Sequence, residues 1–296
     1  MHEQSLGGTL LSIPLMSPPR IHVVGAGLAG LAAALRVGDA GAQVIVHEAA
    51  GQAGGRCRSY VDSALGIKID NGNHLVLSGN HATLTYLARI GAADRLTGPA
   101  EAEFPFVDLA QKQRWLLKPN PGRVPWWIFA KTRRVPETRA ADYLKIARLM
   151  WAGADATVEV ALDPRSVLYR RLWRPLLLAA LNTDPAEGSA RLAVTISGAD
   201  RLLDVEREEL AEKIWREVAE IVGIAAPLPA WQIIKERRAT FAATPEQNAK
   251  RPGAATRWHN LALAGDWTAT GLPATIEGAI RSGNRAADVV LRGAAS

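Results

Sequence analysis

A glycine triplet at fixed spacing, Gly25, Gly27 and Gly30 in VVGAGLAGLAAAL, constrains this chain more than any other feature. It lies between a short apolar run from Arg20 and an alanine- and leucine-rich stretch, and a second apolar run, AQVIVHE, follows. Strand, glycine turn, helix and strand make a βαβ unit, which places the chain in the α/β class. Within that unit Gly25 permits the tight turn, Gly27 lets the backbone approach a pyrophosphate, and Gly30 lets helix and strand pack. Free N–H groups at the helix start attract the anion. Glu48 ends the second strand eighteen residues after Gly30, where a carboxylate can hold a ribose. A turn in some other α/β protein would explain the glycines alone, but not the second strand and Glu48 with them.

The next segment, AAGQAGGRCRSY, adds Gly54, Gly55 and Arg56 just after the second strand. A flexible backbone and a cation there can face the same diphosphate, which points to FAD rather than a nicotinamide nucleotide; an ordinary surface loop also explains the three residues. In IKIDNGNHLVLSGN, polar Asp70, Asn71, Asn73 and His74 interrupt an apolar strand pattern and need partners. Two readings fit: they line a flavin ring, or Asn71 and Gly72 make a type I′ hairpin turn with His74 a hydrogen-bonded turn or core residue.

Further along, His81 to Ile90 reads as a short helix stopped by Gly91, and FPFVDL and QRWLLK read as strands. The stretch KPNPGRVPWWIFAKTRR reads as a loop with an apolar tip, Trp126, Trp127 and Phe129 flanked by Arg123, Lys131, Arg133 and Arg134. Such a tip suits a membrane interface or the mouth of a lipid tunnel, and equally a core packing patch. Helical spacing runs from Ala140 to Trp151 and from Val167 to Leu181, where Pro175 must kink or start a helix. Asp204 is placed to cap a helix carrying the stripe Val205, Leu210, Ile214, Val218 and Ile221, ended by Gly223. WQIIKERRATFAATP reads as a strand. The C-terminal NLALAGDWTATGLPATIEGAIRSGNRAADVVL reads as a strand ending at Gly265 and Asp266, a loop, and a long helix from near Ala274, Thr275 and Ile276. The Asp266 carboxylate can accept from a ribityl hydroxyl while that helix start offers N–H groups to a flavin carbonyl.

Composition narrows the class of partner. The formal charge is +6 with 48% hydrophobic residues, a balance too apolar for disorder, and the scattered arginines form no ribbon that suggests nucleic acid. The single cysteine, Cys57, allows no internal disulfide and no cysteine zinc cluster, so a reducing compartment and no metal are expected. No apolar run is long enough to span a membrane as a helix. Residues 1–17 read as a loose tail without a secretory signal, with Met16 a second candidate start of translation.

With VVGAGLAGLAAAL, GGRCRS, DNGNHLVLSGN, WRPLLLAALNT, ERRATFA and LAGDWTATGLPATIEGAIRSG in view, the chain resembles the FAD-dependent amine-oxidase and phytoene-desaturase superfamily. Within it, the DNGNH, LNT and GDWTATGLPATIEGA strings narrow the resemblance to the squalene-associated FAD-dependent desaturases of bacterial hopanoid synthesis. The resemblance implies a Rossmann-like FAD-binding domain built from residues 18–100 and 255–296, with a reduced, largely helical substrate domain, 101–254, inserted between. It implies that Gly25, Ala26, Gly27, Leu28, Ala29, Gly30, Glu48, Ala49, Gly54, Gly55, Arg56, Gly265 and Asp266 hold FAD, with Asn73 near its ring. It also implies reduction of hydroxysqualene to squalene with loss of water, in the cytoplasm or at the inner face of its membrane, alongside other enzymes of squalene synthesis. His74 and Asp70 are the candidate proton donors for the departing hydroxyl. One departure stands out: members of the family are longer, and the missing material is expected around Ala193 to Asp200. Two other readings stay open, a flavin oxidase acting on a soluble amine and a non-catalytic remnant.

Overall fold

The computed structural model describes residues 18–72, 74–122, 124–145, 162–175, 194, 196, 199–222, 225–236, 240–241 and 244–294. The tail 1–17, Asn73, Arg123, Gly223, the LNT string, most of the ERRATFA string and the expected junction near Ala193 therefore lie outside the described residues, in whole or in part.

The expected βαβ unit forms. Arg20–Val24 (β1) pairs in parallel with Gln43–His47 (β2), Arg20 opposite Gln43 and Val24 opposite His47, and Leu28–Asp39 (α1) crosses between them. Alanines at 29, 32 and 33 and Val37 fall on one face of α1 and are buried. The helix ends in a Schellman motif. Gly41 takes φ +84°, its N–H donates to the Gly38 carbonyl, and the Ala42 N–H donates to the Val37 carbonyl. The same device ends His81–Arg89 (α2) at Gly91, φ +68°, as the glycine stop there predicts.

Ser59–Asp62 (β3) and Ile67–Asp70 (β4) form an antiparallel hairpin, as do Phe104–Asp108 (β5) and Gln113–Leu117 (β6). The β3–β4 reversal falls at residues 63–66, with Gly66 at φ +64°, so Asn71 and Gly72 are not its turn. They sit at its open end, where the chain has already passed through the pairing that a type I′ turn would create.

The middle of the chain builds one apolar cluster, Leu117, Ile128, Val135, Tyr143, Leu168 and Leu172. Its elements are β6, a 3-10 turn at Trp126–Phe129, the short helix Ala140–Leu144 (α3), and a helical segment that widens into a π turn at Tyr169–Trp173. The π turn closes with the Arg174 N–H on the Tyr169 carbonyl, immediately before Pro175, whose ring has no N–H to continue the helix. Arg207–Val222 (α4) buries Leu210 and half-buries Ile214, Val218 and Ile221, as the stripe requires. Asp204 is not its cap: the first helical bond runs from the Leu210 N–H to the Glu206 carbonyl, so Glu206 takes the N-cap position.

Two expected strands do not form among the described residues. Residues 231–236 run extended without a ladder, tied instead by Lys235 Nζ to the Leu203 carbonyl (2.8 Å) and by Gln232 to Asp62 (3.0 Å), and Thr244 caps the short helix Pro245–Ala249 (α5). The run before Gly265 makes one isolated bridge, Ala255 to Ala262. A strand exists only when a neighbour accepts its hydrogen bonds, and among the described residues the β1–β2 sheet acquires no third member. Its edge residue Val24 is 88% exposed.

The C-terminal helix Ile276–Ala294 (α6) does form and packs along α1, burying Ile280, Ser282, Gly283, Ala286 and Ala287. It starts two residues later than expected. The Thr275 hydroxyl accepts from the Gly278 N–H (3.0 Å) and its carbonyl from the Ala279 N–H, so Ala274 and Thr275 precede the helix.

Candidate functional site

The glycine turn forms the floor of the site. Gly25 adopts φ +101° and its N–H donates to the His47 carbonyl (2.7 Å), joining turn to β2. Gly30 is where β1 and α1 touch: a Cβ there would lie 1.9 Å from the Gly25 carbonyl oxygen. Cβ atoms at Gly25 and Gly27 would meet nothing within 4 Å, so open space lies over the turn. Gly27 caps α1 with no side-chain acceptor, leaving the first-turn amides of Leu28, Ala29 and Gly30 without an intrahelical partner. Uncapped amides facing room on a glycine backbone are what a diphosphate requires.

Glu48 bridges the glycine turn and the loop after β2. Its Oε2 accepts from the Ala26 N–H (2.6 Å) and its Oε1 from the Ala50 N–H (2.8 Å). These amides, Ala50 foremost, hold its carboxyl below the usual carboxylate range. The group is exposed, so lone pairs remain for ribose hydroxyls, and Ala49 stands exposed beside it.

The second glycine pair docks on the first. The Gly54 N–H donates to the Ala26 carbonyl (2.8 Å), and a Cβ on Gly55 would come 3.2 Å from the Gly27 Cα. Gly54 and Gly55 take φ +113° and +61°, turning the chain back so that Arg56 reaches Asp266, Nη2 to Oδ2 at 2.5 Å. That ion pair joins positions 210 residues apart and brings the glycine loop and the C-terminal loop together. Asp266 is buried and Arg56 half exposed, so one oxygen of the carboxylate is neutralised by the same arginine expected to face a diphosphate. Cys57 is beside them; burial pushes its thiol up, Arg56 works against that and Asp266 adds to it.

The C-terminal loop is held by residues that sequence reasoning missed. Arg251 donates to the carbonyls of Asp266 (2.8 Å) and Leu272 (2.8 Å) and to the Thr270 hydroxyl (2.9 Å). The Ser282 hydroxyl on α6 accepts from the Gly265 N–H (2.8 Å). Gly283 is the contact of α6 with α1, since a Cβ there would lie 2.1 Å from the Ala29 carbonyl oxygen. A readable signal existed for the last: Gly278, Ser282, Gly283, Ala286 and Ala287 put small residues on one stripe of a long helix.

Glu277 was also missed. It opens α6 yet caps α2, accepting from the amides of Ala82 (3.1 Å) and Thr83 (2.8 Å), from the Thr83 hydroxyl (2.8 Å) and from Arg281 (2.8 Å). Burial opposes its charge, but these four donors outweigh it and its pKa falls below the ordinary 4.5. A carboxyl lowered in the folded state stabilises fully above its unfolded pKa and loses that contribution as pH falls through the folded value. Glu277→Gln is therefore expected to cost about 2 kcal/mol in urea unfolding at pH 7. The gap to wild type should close toward pH 3, and an equal gap at both values would show that the charge is not what matters.

Asp70, Asn71 and His74 occupy the open end of the β3–β4 hairpin, and Asn73 lies outside the described residues. Asp70 accepts from the Ser59 hydroxyl (2.5 Å), and Asn71 donates from Nδ2 to the Arg56 carbonyl (3.0 Å), tying this end to the glycine loop. His74 is exposed, with its ring next to Gly72. The start of α6 at Ile276 leaves its amide and that of Glu277 as the free pair, not those of Ala274 and Thr275.

The chain matches a family model described as flavin containing amine oxidoreductase over residues 28–169 and 163–291. It is 40% identical over 411 residues to hydroxysqualene dehydroxylase of Sinorhizobium fredii (strain NBRC 101917 / NGR234), covering 93% of this chain and 99% of that protein. Against the enzyme of the same name from Rhodopseudomonas palustris (strain ATCC BAA-98 / CGA009) it is 39% identical, covering 92% and 98%. A solved putrescine oxidase variant superposes on 45% of this chain and 25% of its own with a TM-score of 0.29 and 25% identity. The aligned length of 411 residues exceeds the chain's 296, so over a hundred residues of the first relative face a gap. The two matched pieces of the family model meet at 163–169, upstream of the expected junction at Ala193 to Asp200. Glycine turn, Glu48 anchor and joined chain ends fit an FAD, and the chain belongs to the flavin containing amine oxidoreductase family as an FAD-dependent oxidoreductase.

Proposed function

We propose that this chain reduces hydroxysqualene to squalene and releases water. The observation that carries the reading is the likeness to hydroxysqualene dehydroxylases of three bacteria over more than nine-tenths of this chain. Bound in its reduced form, FAD supplies the hydride that replaces the C–O bond at the allylic carbon. The chain's own residues do the rest. Gly25 to Gly30 with Gly54 and Gly55 seat the diphosphate, Glu48 holds the ribose, and Asp266, kept in place by Arg56 and Arg251, faces the ribityl chain. Asn73 lies near the ring in this reading. Asp70 or His74 delivers the proton with which the hydroxyl leaves as water, an assignment supported by their place beside the loop that carries Arg56.

In this reading residues 18–100 and 255–296 form the nucleotide unit and 101–254 the substrate side, and the enzyme works in the cytoplasm, where its isoprenoid substrate collects at the inner membrane face. Contact of α1 with α6 and the Arg56–Asp266 pair support the first half of that division. A second reading, a non-catalytic remnant, is favoured by the gap of over a hundred residues and the thin β1–β2 sheet.

The test is the visible spectrum of the purified chain followed by anaerobic turnover of hydroxysqualene with chemically reduced protein. Flavin bands and squalene are expected. A colourless protein that gains no flavin on incubation with FAD selects the remnant, and a yellow protein that leaves hydroxysqualene untouched but oxidises an amine selects the amine oxidase.

A further inference from the structure

Residues 109–136 contain seven lysines and arginines and no acidic residue. At its centre the 3-10 turn Trp126–Phe129 points two rings outward: Trp126 is 66% and Phe129 63% exposed, their centroids 6.2 Å apart. Val124 beside them is 51% exposed. The turn is fastened from below. Ile128 is buried in the central cluster, and Trp127 meets Tyr143 edge to face at 5.1 Å. Asn120 clamps the loop by accepting from the Trp127 N–H (3.0 Å) and donating to the carbonyls of Pro121 (2.7 Å) and Val124 (3.0 Å). Arg134 donates to the Ile128 carbonyl (3.0 Å). The sequence left a core patch and a surface tip as alternatives for this aromatic group; the structure divides it, Trp127 inward and Trp126 and Phe129 outward.

We propose that this tip is a docking surface for an anionic lipid bilayer, with Trp126, Phe129 and Val124 entering the interface and Lys131, Arg133 and Arg134 meeting the phosphate headgroups. Among the described residues no carboxylate forms an ion pair with these three cations. An apolar insertion of two rings is weak alone, and a cationic collar supplies the second attraction that stable binding needs. Tryptophan suits the boundary because its ring is apolar and its N–H seeks a polar partner. A second copy of the chain would bring an equally basic tip against the first, which charge repulsion disfavours. None of these residues makes a described contact with the glycine turn or Asp266, so the tip binds whether or not substrate or flavin is present.

The experiment is co-sedimentation of the full chain with vesicles of phosphatidylcholine alone and of phosphatidylcholine mixed with phosphatidylglycerol. Binding to the mixed vesicles, weak binding to the neutral ones and release by salt are expected. Trp126→Ser with Phe129→Ser should weaken binding by at least about tenfold. Lys131→Gln with Arg133→Gln, which leaves the rings intact, should weaken it by about 30-fold at low salt, the conversion of about 1 kcal/mol for each charge. Trp126, Phe129 and Lys131 are exposed and Arg133 is half-buried, and an unchanged melting curve confirms folding. Wild type failing to sediment, or either folded variant sedimenting as well as wild type, overturns the proposal. So does a lipid-free wild type that elutes as a dimer and becomes a monomer in the serine variant, since a second copy then covers the tip.

Discussion

Gly283→Ala is expected to unfold this protein roughly 5–10 °C earlier and to strip most of its flavin, although alanine favours a helix by about 1 kcal/mol over glycine. The new methyl carbon would lie 2.1 Å from the Ala29 carbonyl oxygen and 3.0 Å from the Ala33 nitrogen. Both are backbone atoms of α1, which no rotamer change can move aside. α6 must therefore back away from α1, and a shift of that kind costs about 2–3 kcal/mol. It also separates Ser282 and the Gly265 loop from the glycine turn, so flavin should be lost before secondary structure. Gly30→Ala presses on the Gly25 carbonyl at 1.9 Å and should behave alike. Gly38→Ala is the control: its nearest contact would be Val44 at 3.8 Å, an ordinary separation, and helix propensity then predicts a gain of up to about 1 kcal/mol. Thermal melts and the flavin-to-protein absorbance ratio of the three variants measure this; a Gly283→Ala protein as yellow and as stable as wild type would mean that the α1–α6 contact is not the closure of the site.

Arg251→Met should cost about 2–4 kcal/mol in urea unfolding, the largest loss expected of any side chain outside the core. One guanidinium serves the Asp266 and Leu272 carbonyls and the Thr270 hydroxyl, and it also lies over the Phe241 ring at 4.8 Å. Methionine fills much of the space and supplies no donor, leaving those oxygens to find water in a half-buried loop. Arg251→Lys should recover only part of the loss, because a single ammonium cannot reach three acceptors arranged for a planar fork. If lysine restores stability and flavin retention in full, charge alone holds the loop and the fork geometry is irrelevant.

Arg251 carried no mark in the sequence and Gly283 only that of a small-residue stripe whose partner the sequence does not name, while the features that could be read outright were mostly local. The β1–α1–β2 unit was legible because apolar period, alanine content and glycine spacing all act within thirty residues. Gly91 and the two strands of the β5–β6 hairpin were legible for the same reason. Asp204 and the start of α6 missed by two residues, since a good capping residue permits a helix start without fixing it, and where the first backbone hydrogen bond closes is set by packing. The strands expected at 231–245 and before Gly265 failed differently. Their alternation was real, but a ladder needs a neighbour, and the described chain offers none beside them.

The local geometry at Gly25, Gly27, Gly30 and Glu48 could be read because a tight turn, an uncapped helix start and a carboxylate at a strand end are consequences of residue type and short spacing. What closes the site could not. Arg56 meets Asp266 across 210 residues, and Glu277 caps a helix 194 residues upstream. Gly283 matters only because Ala29 lies beneath it. Such pairings depend on how separate elements pack, and packing is a property of the assembled chain that no local spacing encodes.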